Sequence, residues 1–312
     1  MMATRDAYGK ALLKLGETNP RVVVLDSDVS SSTRTDKFAA KFPDRFFNFG
    51  IAEANMISAA AGLATCGKIP FASSFAVFAS SRCFEQIRDC VCWPRLNVKI
   101  VPSHAGISVG EDGASHQAVE DISIMRMLPN MTVIVPADGL ETEQAVLAAA
   151  EYDGPVYIRL GRAKFPLVCP PDYEFQIGKS FTLKEGSDAT CIATGLMVFE
   201  AMAAAEKLKE QGINIGVINM STIKPLDKEA ILKAAAETGA IVTAEEHTII
   251  GGLGSAVADV LVEERPAPMK RIGMRDRFGI SGPPGDLLEK FHMSDADIVK
   301  AVLEVMERKK KL

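Results

Sequence analysis

Histidine, tryptophan and long apolar runs are scarce in this chain, which has four His, one Trp and 6% aromatic residues among 312. None of the imidazoles is spaced as a co-ligand to Cys66, Cys83, Cys90, Cys92, Cys169 or Cys191, so no zinc site is expected and no metal ligand is assigned to the chain. The cysteines form no CxxC pair and no dense framework, and buried reduced thiols in a cytoplasmic protein are the expectation. No apolar stretch reaches about 18 residues, which leaves no candidate membrane span. The N-terminal segment is charged and amphipathic and lacks the apolar core of a signal peptide. A net charge of −5 provides no basic field for nucleic acid. The basic run 308–311 reads as a solvated tail.

What the chain does have is alternation. Apolar runs at 22–25, 46–49, 69–73, 98–101, 132–135 and 156–160 read as strands. Helical patterns lie before and between them, at 4–17, 33–42, 54–66, 76–92, 118–127 and 141–152. Continuous rather than alternating strand patterns, joined by helical crossovers, predict mostly parallel sheets covered on both faces. The segment 165–187 holds Pro166, Pro170, Pro171 and Gly178 with weak periodicity, and reads as an ordered connection. A second series follows, with strands at 190–193, 215–217, 240–244 and 269–272 and a final helix capped by Ser294 and Asp297. The expected fold is therefore two consecutive three-layer α/β domains, 1–165 and 188–312, joined by a linker at 166–187.

In such sheets the functional crevice lies beyond the carboxyl ends of the strands. Asp28 and Ser32 follow the first strand, Glu53 the second, and Phe75 the third, while His104 ends the fourth and Arg162 follows the last. Glu53 falls in the first turn of a helix of small residues, where the macrodipole favours a carboxylate. That position suits either a helix-stabilising side chain or a carboxyl group sharing a proton with a ligand. His104 and His116, half the histidines of the chain, flank a glycine-rich polar loop containing Glu111 and Asp112. They are candidate proton carriers or anion donors. Phe75 and Phe78 have helical spacing, compatible with core packing or with a platform for a flat ring. Arg5, Ser32 and Arg162 are candidate phosphate contacts. The glycine loop 251–254 lacks full GxGxxG spacing and reads as a tight turn.

The strings FGIAEANM, SSFAVF and SHAGISVGEDGASHQAVEDI resemble the pyrimidine-binding domain of transketolases, and MSTIKPLD and EEHTIIGGLGSA resemble the transketolase C-terminal domain. The resemblance implies a thiamine diphosphate enzyme that moves a two-carbon ketol unit from a ketose phosphate, such as xylulose 5-phosphate, to an aldose phosphate. It implies that Glu53 hydrogen-bonds N1′ of the aminopyrimidine, with Phe75 and Phe78 against that ring and Asp28 nearby. His104 is implied in phosphate binding, and His116 in contacting the donor near its carbonyl as a proton handler. Asp112 would recognise the C2 hydroxyl of an aldose, while Arg5, Ser32 and Arg162 would hold the phosphate end. Ser81 departs from the family, which often carries an aromatic residue there. The GDG motif through which the family binds Mg²⁺ and the diphosphate does not occur in the sequence. The resemblance thus implies a split enzyme. A second subunit would bring that motif and the Mg²⁺ ligands, in a two-plus-two heterotetramer. The competing expectations are the beta subunit of a 2-oxo-acid dehydrogenase and a non-catalytic paralogue.

Overall fold

A computed structural model describes residues 1–311. Two α/β domains follow one another, each built on a mostly parallel sheet with helices on both faces. The first sheet has seven strands, in the order Thr222–Lys224, Thr132–Ile134, Val156–Ile158, Lys99–Ile100, Ile69–Ser73, Val22–Asp26 and Phe46–Asn48. All neighbours are parallel except Thr222–Lys224, which runs antiparallel against Thr132–Ile134. The central strands Val22–Asp26 and Ile69–Ser73 are buried at every position, as their unbroken apolar pattern requires. Phe46–Asn48 differs from the expectation of a buried strand. It lies at the sheet edge and is largely exposed, because only one neighbour covers it.

The second sheet runs Met269–Met274, Ile241–Thr248, Ala189–Ala193, Ile215–Asn219 and Phe181–Lys184. Its last strand is antiparallel and comes from the segment expected to be only a connection. Phe181–Lys184 is half exposed, so its composition carries a weak strand signal. Ser294 and Asp297 form the expected capping box on the helix Asp295–Lys309.

Two helical expectations are altered. The stretch 33–42 is split into Ser30–Thr33 and Asp36–Lys41, with Arg34 in the left-handed region at φ 72°. The stretch 76–92 contains wide π-helical turns at Phe78–Arg82 and Ile87–Cys92 around a short α-helical piece. Such turns rotate side chains out of the regular 3.6-residue pattern and cluster at functional positions. The two domains share one apolar cluster, in which Ile122 and Val133 of the first sheet layer join Ile192, Ile218 and Val257 of the second.

Candidate functional site

The polar residues converge at the carboxyl ends of the first sheet. Ile69–Ser73 continues through Ser74 into Phe75, whose backbone bridges in parallel to Ser103. Ser103 N–H donates to Ser74 O at 3.0 Å, and Ala76 N–H donates to Ser103 O at 2.7 Å. These bonds hold His104 in a left-handed conformation, φ 59°, which few non-glycine residues adopt. The imidazole lies 4.0 Å from the Phe75 ring, centroid to centroid.

A continuous string of contacts follows. Phe75 and Phe78 are near-parallel at 6.2 Å, and His116 stands edge-on to Phe78 at 5.4 Å. The Arg82 guanidinium lies over the Phe78 ring at 4.8 Å and donates to Glu53 Oε2 at 2.8 Å. On the other side, Arg5 Nη1 is 3.5 Å from His104 Nε2 and donates to Ser32 O at 2.9 Å. Glu53, Phe75, Phe78, His104, His116, Arg5 and Ser32, scattered over more than a hundred positions of chain, thus come together. The Ser81 position is filled by no ring; its hydroxyl bonds to Val77 O, within the π-helical turn.

Glu53 opens the helix Glu53–Thr65, whose alanine-rich sequence favours helix and packs Met56, Ile57, Ala60 and Ala61 inward. Its carboxylate is 3% exposed, whereas the Arg82 side chain is 50% exposed. His104 is buried, and its pKa is pushed down to about 3, first by burial and then by the charges of Arg5 and Arg162. The ring is therefore neutral at physiological pH. An arginine donates only, so Nε2 facing Arg5 is the bare nitrogen, and Nδ1–H donates to Ser103 Oγ at 2.8 Å. Burial, followed by the charge of Arg34, lowers the pKa of Arg5. Its buried Nε has no hydrogen-bond partner among the described residues. An anion at this point would satisfy both.

Arg162 sits beside the loop 106–116, where Nη1 donates to Val109 O and to Glu111 Oε2 and lies 3.7 Å from Asp112 Oδ2. Asp28 stands apart from the string. It is exposed, with φ 66°, and exchanges hydrogen bonds with Asn48. The buried carboxylate of this segment is Asp26, two residues earlier, which accepts from Val29 N–H at 2.7 Å, Thr33 Oγ1 at 2.7 Å and Thr35 Oγ1 at 2.9 Å. Burial raises the pKa of Asp26, and the hydrogen bonds partly offset it. This knot folds 29–35 so that Ser32 O meets Arg5. Asp26 and Arg82 both escaped the sequence reading. The available signals were a carboxylate closing an apolar strand, with threonines at plus seven and plus nine, and an arginine four residues past Phe78.

Behind this crevice a second polar cluster joins the domains. Arg159 Nε donates to both oxygens of Asp121, at 3.1 and 2.9 Å, and Nη2 donates to Ala118 O and Glu246 O. Burial works against the charge of Arg159, yet Asp121 and Glu246 raise its pKa overall. Glu245 accepts from Leu253 N–H at 2.7 Å and Gly254 N–H at 2.8 Å, so the N-terminus of the helix Leu253–Glu264 is already occupied by an internal carboxylate. The glycine loop 251–254 is thus a turn, as its spacing predicted: Gly251 has φ 78°, and a Cβ at Gly252 would overlap Glu245.

Burial pushes Glu245 and Glu246 up to about 7 from an ordinary 4.5. Their contribution to stability is complete below pH 4.5 and is lost as pH rises through 7. His247, pushed down by burial to about 4 from 6.5, acts in the opposite sense, since its contribution is lost as pH falls below 6.5. The variant E246Q removes the Glu246 share of the first effect and leaves that of Glu245 and of His247. Its stability relative to the parent chain should rise from pH 5 to pH 8 by about 2–3 kcal/mol, read from urea unfolding at both pH values. A difference independent of pH would refute this.

Paired rings, a buried carboxylate and inward-facing cations at strand ends make a crevice suited to a flat ring beside an anion. The family model for the transketolase pyrimidine-binding domain matches residues 1–167, and that for the transketolase C-terminal domain matches residues 178–298. The chain belongs to the transketolase family, whose members depend on thiamine diphosphate. A solved split gene transketolase, in an inactive beta4 tetramer, superposes with a TM-score of 0.93 at 54% identity, covering 99% of this chain and 100% of that one. A 6-deoxy-6-sulfo-D-fructose transketolase subunit of a Clostridium species is 46% identical over 98% of this chain and 95% of its own length. Human transketolase is 41% identical over 96% of this chain, which spans only 48% of that protein. No helix among the described residues is long and apolar enough to cross a membrane.

Proposed function

We propose that the chain is the subunit of a split transketolase that binds the pyrimidine end of thiamine diphosphate, and that it transfers a two-carbon ketol unit between sugar phosphates when joined to a diphosphate-binding partner. The observation that carries this reading is the Glu53–Arg82–Phe78–Phe75–His104–Arg5 string, which sets a buried carboxylate, two ring faces and two partly exposed guanidinium groups along one crevice. The residues fit the cofactor's aminopyrimidine: Phe75 and Phe78 would offer faces for the ring, and Glu53 would offer a carboxyl group for its N1′. Thiamine diphosphate supplies, when bound, the carbon that takes up the ketol unit.

Within this reading Glu53 orients the ring and holds a proton at its Oε2. Arg82, half exposed, holds that oxygen here and would have to yield it to the ring. Arg5 and Arg162, with the Ser32 hydroxyl, hold the sugar's phosphate end as guanidinium forks suit. Neutral His104 offers its bare Nε2 as an acceptor without adding charge. His116, at the open end of the rings, moves the proton of the sugar hydroxyl. Asp112 accepts from a sugar hydroxyl, and Asp28 lies at the cofactor's rim. The Mg²⁺ and diphosphate contacts are assigned to the partner's GDG-bearing domain, with two copies of each chain and a cytoplasmic setting. Support for a partner comes from relatives of the same length named as a subunit or as a split gene product in an inactive tetramer.

Mixing the chain with a candidate GDG-bearing partner, thiamine diphosphate and Mg²⁺ should produce ketol transfer between pentose phosphates that neither chain alone supports. Turnover by this chain alone, or a partnered complex that binds the cofactor and transfers no ketol unit to any sugar phosphate, would reject the reading.

A further inference from the structure

The loop that would face the sugar carries almost no regular structure of its own. Between Val101 and Glu120 only Ile107–Val109 makes a short 3-10 turn. A segment of this kind holds one shape only if outside groups fix it, because ordering each residue costs about 1–2 kcal/mol of backbone entropy. First-domain groups such as Ser74 and Arg162 hold parts of it, and further ties come from the second domain. Glu246, on the strand Ile241–Thr248, reaches across and accepts the Ser108 N–H with Oε1. The carboxyl group is so close to Gly106, φ 79°, that a Cβ there would overlap it. Gln117 Nε2 donates to Ile107 O, to Gly110 O and to Ile280 O of the second domain. Glu246 is buried, and its backbone carbonyl is itself held by Arg159 Nη2 at 2.9 Å.

We propose that Glu246 is a positioning residue for sugar-phosphate binding, tying the loop that bears His104, Asp112 and His116 to the second domain. The proposal rests on the transketolase reading for its substrate, and it gives the C-terminal domain a part in the site that lies wholly in the first sheet's crevice. Glu53, Phe75 and Phe78 stand on other elements, so cofactor binding is expected to respond to this tie far less than sugar-phosphate binding.

The test uses the complex of this chain with a diphosphate-binding partner, thiamine diphosphate and Mg²⁺. E246A should raise KM for the ketose phosphate about tenfold or more, with thiamine diphosphate affinity unchanged and a smaller change in kcat. E246Q keeps an oxygen for the Ser108 N–H and should retain the parent KM. G106A, which leaves Glu246 in place but forces the loop away from it, should raise KM as E246A does and guards against failure of E246A to fold. Amide hydrogen exchange over 106–110 in the chain alone, independent of turnover, should quicken about tenfold in E246A and not in E246Q. Parent-like KM and exchange in E246A, or equal loss in E246A and E246Q, would overturn the tie. A parent complex without ketol transfer, but with the expected exchange pattern, would instead sink the transketolase reading and leave the tie standing.

Discussion

E53Q should lower kcat of the reconstituted complex by about 10²–10⁴-fold, the range that separates a positioned acid–base group from none. Glutamine fills the same volume at the first position of the helix Glu53–Thr65 and still hydrogen-bonds, but it exchanges no proton with a ring nitrogen. Stability should scarcely change, because the lost ion pair is with Arg82, whose side chain is half exposed and well solvated. The fold and assembly therefore serve as internal controls, read by thermal unfolding and by sedimentation. A kcat within a few-fold of the parent, with cofactor bound, would remove Glu53 from the chemistry and reduce it to a helix-capping charge.

The largest stability effect is expected at Asp121. Its carboxylate is fully buried, accepts twice from Arg159 Nε and accepts Tyr157 Oη–H at 2.8 Å. D121A leaves Arg159 as a buried cation without its principal partner, and breaking such a pair costs about 3–5 kcal/mol. Removing both charges relieves that penalty. The double variant D121A/R159M should therefore be less destabilised than the sum of its single variants, measured by urea unfolding as a double-mutant cycle. Strict additivity would show that Arg159 is held chiefly by Ala118 O and Glu246 O.

Much of this fold is legible in the sequence. The strands of the first sheet stand out because burial on both faces leaves unbroken apolar runs, and 22–25 and 69–73 are the clearest. The crevice residues were legible because strand ends are where polar side chains gather in parallel sheets. Contacts made through space were not. Ser108 and Glu246 are 138 positions apart, and no local pattern links them. Arg82 reaches Glu53 from a π-helical stretch, and a π turn has no 3.6-residue signature to betray it. Phe181–Lys184 hid in a proline-containing connection because an edge strand with mixed exposure lacks a continuous apolar run. Asp28 follows the first strand and stands out for that, whereas Asp26, within the strand, is the buried carboxylate that shapes the loop.

The antiparallel pairing of Thr222–Lys224 with Thr132–Ile134 places a piece of the later chain at the rim of the earlier sheet. A chimera that joined the halves of two relatives within 166–187 would take that rim strand from the other parent. The donor's strand would then have to match the recipient's register, or Thr132–Ile134 would present bare amide and carbonyl groups to solvent and to other chains. Recombination in this molecule is thus constrained by a three-residue seam far from the obvious junction, and clean exchange of modules would carry the break past Lys224.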